Sequence, residues 1–125
     1  MMVLVDTSVW VEHLRRGLAE LSALLEEGRV LGHSFVTGEL ACGNLRSRSV
    51  LMENLNRLPQ SPRVSDEEAL AFLENRRLFG LGLGWSDVHL LASARLAGCR
   101  LWTLDKPLKI AADKLGLTKG AIDES

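Results

Sequence analysis

The sequence predicts an α/β fold of three layers, a parallel sheet with helices packed on both faces. Three observations carry this. Met2 to Val5 is an apolar run with β-branched valines and no polar member, the pattern of a strand covered on both sides. A second short run, Arg100 to Leu104, is also β-prone, and both runs end in an aspartate, Asp6 and Asp105. Between them, stretches of helical apolar spacing alternate with short strand-like ones, as crossover connections between parallel strands require.

In chain order, Thr7 or Ser8 can cap a first helix running to about Arg16, with Val9, Trp10 and Leu14 apolar and Gly17 ending it. Leu18, Leu21, Leu24 and Leu25 fall at helical spacing in a second helix that stops at Gly28. Val30 to His33 reads as a second strand. A third helix begins near Ser34 and includes Glu39, Leu40 and Leu45. A fourth covers about Val50 to Leu58 and halts before Pro59. Residues 59 to 63 form a connector, and Val64 suggests a further short strand.

Ser65 and Glu68 stand at capping-box spacing and open a helix to about Leu78. The stretch from Gly80 to Gly84 has no strand before it and no Lys-Ser/Thr after it, so it is not a phosphate loop but a mobile approach to the next helix. That helix spans about Ser86 to Ala97, with Asp87 in its first turn. Pro107 starts the last helix, which ends near Gly116. Residues 117 to 125 read as a short strand or a fraying tail.

The 125 residues suit a single domain, 1–125, and 46% hydrophobic with 25% charged residues is the composition of a globular protein. No apolar run approaches a membrane span, and Asp6 interrupts any signal-peptide pattern, so a cytoplasmic protein with no membrane partner is expected. Cys42 and Cys99 have no metal-type spacing and read as small buried thiols.

Four acids stand out. Asp6 and Asp105 follow two strands, and in a parallel sheet both carboxyl ends lie on one edge, the edge where open α/β sheets place their ligand crevice. Asp87 lies at a helix N-terminus. Asp6 and Asp87 can also be read as ordinary helix caps, Asp87 the more readily. Glu39 interrupts the apolar stretch Phe35 to Cys42 with no basic residue within a turn, so a buried carboxylate in need of a cationic partner is expected. Hard divalent cations, Mg²⁺ or Mn²⁺, prefer such oxygen ligands and can hold a phosphodiester. His13 and His33 lack a ligand-spaced partner and His89 points away from Asp87, which argues against zinc. The formal charge of −1 does not mark a nucleic-acid binder, but with the four acids set aside as bound to metal the rest of the chain stands at +3.

Here the sequence resembles the PIN-domain ribonucleases, and more narrowly the VapC-type toxins of type II toxin–antitoxin pairs. The carriers are Val5 to Trp10, Phe35 to Leu45, Asp87 to Ala94 and Leu101 to Lys106, and together they extend the likeness over essentially the whole chain. Asp6, Glu39, Asp87 and Asp105 follow one another at intervals of 33, 48 and 18 positions. The resemblance implies a three-layer PIN-like fold and a Mg²⁺- or Mn²⁺-dependent endoribonuclease. It makes those four acids the catalytic and metal-binding quartet, with Thr7, Ser8 and Thr103 as supporting hydroxyls. It also implies a homodimer and a small VapB-like antitoxin. Some relatives carry a further acid after the fourth. Here Pro107, Leu108 and Lys109 follow, which leaves one metal or two open.

Arg15, Arg16, Arg46 and Arg48 are the basic residues nearest the motifs and can hold RNA backbone, or can be solvated helix faces. Trp10 and Trp102 read as core and Trp85 as exposed and available for base stacking. The helices between Phe35 and Leu58 are the expected groove for an antitoxin helix. A dehalogenase-like phosphotransferase would need a second Asp at position 8, where Ser stands. The remaining alternative is a non-catalytic PIN-fold module that binds RNA or protein.

Overall fold

A computed structural model describes residues 1–118. The elements follow in the order β1 (Val3–Val5), α1 (Thr7–Arg16), α2 (Ala19–Glu26), β2 (Val30–Leu31), α3 (Ser34–Ala41), α4 (Arg48–Arg57), α5 (Asp66–Asn75), α6 (Trp85–Ala97), β3 (Arg100–Trp102) and α7 (Lys106–Lys114). The sheet order is β2-β1-β3, all parallel. This is the expected three-layer arrangement. The first strand is central and all three of its residues are buried, because helices cover both faces.

The strands are shorter than the sequence suggests. β2 stops at Leu31, and beyond it Gly32 makes an isolated parallel bridge to Gln60. That bridge replaces the strand expected at Val64. β3 stops at Trp102, so Asp105 lies beyond the strand rather than at its tip. Thr118 makes a parallel bridge to Leu101, and the rest of the expected C-terminal element lies outside the described residues.

Register is what positions the site. Val5 stands opposite Trp102 across the β1–β3 ladder, and Asp6 N–H donates to the Trp102 carbonyl at 2.9 Å. The residue after each strand therefore meets the other, Asp6 beside Thr103. On the opposite flank, α3 and α6 meet along an antiparallel seam. His33 Nε2 is 3.1 Å from Ser93 Oγ, the Phe35 ring is 4.6 Å from that of His89, and Glu39 accepts from Ser86 Oγ at 3.2 Å. Ascending positions on α3 thus pair with descending ones on α6.

The core is built from Val3, Leu4 and Val5 with Leu21, Leu40, Leu55, Leu90, Leu91, Leu101 and Leu108. Cys99 is buried as expected, but Cys42 is exposed, at the end of α3. Trp10 is buried, whereas Trp102 is only half-buried. No described helix is long and apolar enough to cross a membrane.

Candidate active site

The four acids reach one edge of the sheet by different routes. Asp6 follows β1 directly and is itself the N-cap of α1, displacing Thr7 and Ser8 from that role; its carboxylate faces the Ser8 N–H at 3.4 Å. The same oxygen accepts from Ser8 Oγ and from Thr103 Oγ1, each at 2.7 Å. Both hydroxyls are also acceptors. Ser8 Oγ takes the Leu104 N–H at 2.9 Å and Thr103 Oγ1 takes the Asp105 N–H at 3.0 Å. The chain after β3 is thereby tied to Asp6.

Asp105 caps α7, accepting from the Leu108 N–H at 3.1 Å, with Pro107 in the first turn where no donor is needed. Asp87 lies in the first turn of α6 and folds back to accept the Gly84 N–H at 2.9 Å. Three of the four carboxylates therefore cap helices, and three helix N-termini, with their positive dipole ends, converge on the site. Capping, which the sequence allows for Asp6 and Asp87, is present in the structure and leaves their carboxylates at the same edge.

Glu39 departs from expectation. It is exposed, not buried, because only Val36 and Leu40 of α3 face the core and the helical period turns Glu39 outward. It is nonetheless held in place: Thr7 Oγ1 donates to one oxygen at 2.5 Å and Ser86 Oγ to the other at 3.2 Å. Ser86 did not stand out in the sequence. Its only local signal is its place beside Asp87.

Electrostatics joins the four. The Asp87 carboxyl is pushed above its ordinary range, chiefly by burial. The Gly84 N–H works against that, and the negative charges of Asp6, Asp105 and Glu39 add to it. Among the described residues no three acidic, histidine or cysteine side chains are drawn together tightly enough to enclose an ion unaided. The donor set is carboxylate and hydroxyl oxygen in an open cluster. That fits a hard cation such as Mg²⁺, which takes one or two carboxylates and keeps several waters.

Of the four arginines, two lie at the far end of α1 and one is tied to the end of α3, two residues beyond Glu39. Arg15 and Arg16 sit at the far end of α1, roughly 14 Å along the axis from Asp6, and both pair with Glu12. Arg48 donates twice to the Ala41 carbonyl, capping the end of α3, and Arg46 is exposed in the loop between. His89 is 3% exposed and packs against Phe35 and Trp85, turned away from Asp87.

Comparison with known proteins identifies the family. The PIN domain family model matches residues 3–114. Two relatives, both named ribonuclease VapC32 and belonging to Mycobacterium tuberculosis strains CDC 1551 and H37Rv, are each 46% identical over 117 residues, covering 93% of this chain and 94% of theirs. The parallel sheet, the acids gathered at its carboxyl edge and this extent of identity lead to one conclusion: the chain belongs to the PIN-domain family, within its VapC-type branch.

Proposed function

We propose that this protein is a metal-dependent endoribonuclease that hydrolyses RNA phosphodiester bonds, acting as one domain over residues 1–125 and as the toxin of a VapBC-type pair in the cytoplasm. The carrying observation is the gathering of four carboxylates at three helix N-termini in a chain 46% identical to a ribonuclease over 93% of its length. Asp6, Glu39, Asp87 and Asp105 would hold Mg²⁺ or Mn²⁺. Such an ion, when bound, supplies Lewis acidity that activates water and neutralises charge on the leaving oxygen. Ser8 and Thr103 orient Asp6, while Thr7 and Ser86 orient Glu39. The exposure of Glu39 leaves the cluster open to a phosphate arriving from solvent.

The same reading includes a homodimer and a VapB-like antitoxin. An apolar cavity of about 290 Å³ lies between α1, α2 and α4, lined mainly by Trp10, Leu14, Leu25, Leu51, Leu55 and Leu58. It supports a helix-in-groove contact, and it shifts the expected groove from α3–α4 to α1–α2–α4.

The test is cleavage of RNA by the purified chain with Mg²⁺ or Mn²⁺ and with a chelator, for the wild type and for Asp6→Asn. Asn keeps the cap of α1, so the variant should fold and lose cleavage. Metal-independent cleavage, or an active Asp6→Asn, would overturn the proposal. No cleavage by the wild type in either metal would favour the non-catalytic module.

A further inference from the structure

Trp85 is 41% exposed, yet it is not loosely held. Its indole meets the His89 ring edge-on, at 4.8 Å between centroids and 86° between planes. His89 in turn packs on Phe35 at 4.6 Å, and Phe35 stands edge-on to buried His33 at 5.4 Å. These four rings form a row along the α3–α6 seam, anchored at its inner end by the His33–Ser93 contact. Trp85 is the one end that meets solvent. That end adjoins the acids: Ser86, the next residue, bonds Glu39, and the Asp87 carboxylate folds back onto Gly84, the residue before Trp85.

A buttressed indole flanked in the chain by Gly84 and Ser86, the partners of Asp87 and Glu39, does nothing for a phosphate, but it offers a π face to whatever the phosphate carries. Single-stranded nucleic acids are held by stacking their bases on such rings. From this placement we propose that Trp85 is the base platform of the active site, stacking the nucleobase beside the scissile phosphate. This rests on the endoribonuclease reading. Trp85 is then a substrate-positioning residue, and the rings behind it keep the indole from yielding under the load.

The experiment compares wild type, Trp85→Phe and Trp85→Leu, all full chain, with folding checked by circular dichroism. Divalent metal is removed by chelation and each protein is titrated with a fluorescent oligoadenylate of about twelve nucleotides and with an abasic ribose-phosphate strand of equal length. Wild type should prefer the base-bearing strand. Trp85→Leu keeps apolar bulk without a π face, and should bind oligoadenylate about 5- to 150-fold more weakly, the range known for base–aromatic stacking. It should no longer distinguish the two strands, whereas Trp85→Phe should retain most of the preference. In cleavage of random-sequence RNA with Mg²⁺, Trp85→Leu should raise KM and leave kcat nearly unchanged.

Equal affinity of wild type and Trp85→Leu for oligoadenylate would overturn the proposal. So would a change of oligomeric state in Trp85→Leu with unchanged affinity, which would assign the ring to a protein contact. Should Trp85→Leu fail to fold, the wild type still decides: its tryptophan emission must be quenched by oligoadenylate but not by the abasic strand, and the quenching must vanish in Trp85→Phe. Wild type that cleaves RNA without these signs loses only the platform. Wild type that cleaves no RNA with either metal loses the endoribonuclease reading and the platform with it.

Discussion

Asp87→Asn should raise the melting temperature of the metal-free protein near pH 8 while abolishing cleavage. Two effects oppose each other. Asp87 accepts the Gly84 N–H in the first turn of α6, so neutralising it loses a favourable interaction with the helix dipole, about 0.3–1 kcal/mol. The Asn carbonyl still accepts that N–H, so the cap itself survives. Against this stand the half-burial of the carboxylate, the larger cause of its raised pKa, and repulsion from Asp6, Asp105 and Glu39. For like charges ~7 Å apart in water-like surroundings each pair costs roughly 0.6 kcal/mol, and half-burial of Asp87 adds a desolvation cost. Burial and repulsion together outweigh the dipole, for a net gain of about 1 kcal/mol at low ionic strength. For a chain of this length that is about 4 °C.

The pH dependence follows from the direction of the shift. The Asp87 carboxyl titrates higher in the folded protein than in the unfolded chain, so its charge destabilises the fold as pH rises through that window, with the full cost above it. The advantage of Asp87→Asn should therefore be complete near pH 8 and close as pH falls below the ordinary carboxylate range. Added Mg²⁺ or Mn²⁺ should stabilise the wild type by about 2.7 kcal/mol at a hundred times its Kd, and the variant much less. Thermal melts of both proteins at low salt, across pH, with and without metal, decide it. A lower metal-free melting temperature in the variant would refute the electrostatic argument. An equal metal shift in both proteins would remove Asp87 from the site.

Three further outcomes are expected. Thr103→Val removes the hydroxyl that donates to Asp6 and accepts from Asp105 N–H, and should reduce metal affinity or activity about 10- to 100-fold, with Thr103→Ser restoring it, measured by metal titration and RNA cleavage. Burial lowers the pKa of His33 to about 4, with the charges of His89 and Arg63 adding to the effect, so the folded protein keeps His33 neutral while the unfolded chain takes up its proton near 6.5. Its contribution to stability should be complete above pH 6.5 and lost as pH falls toward about 4, a dependence that denaturant melts should find flattened in His33→Gln. Hydrolysis by water should leave 5′-phosphate and 3′-hydroxyl ends and should tolerate a 2′-deoxy residue at the cut, whereas cyclic phosphate ends would point to attack by the RNA's own 2′-hydroxyl.

The sequence by itself determined the parts whose causes are short-range. The unbroken apolar run before Asp6 is enough to bury β1 on both faces, and the Ser65–Glu68 pair forms both bonds of its capping box in place. Pro107 is excluded from a helix interior and stands in the first turn of α7. The acids were legible as residues because each sits at a strand end, in a first turn or inside an apolar stretch. Their arrangement was not. Register across β1 and β3 sets Asp6 against Thr103, and between strands nearly a hundred positions apart it is decided by how their apolar residues pair in the packed sheet. Glu39 looked buried because its neighbours are apolar, but the packing of α3 chose Val36 and Leu40 as the inward face and left Glu39 open, gripped by Thr7 and Ser86. Cys42, at the end of the same helix, is also exposed. Propensity and capping act within a few residues, whereas which face of a helix turns inward, and which residues more than thirty positions apart then touch, is decided only when the layers pack.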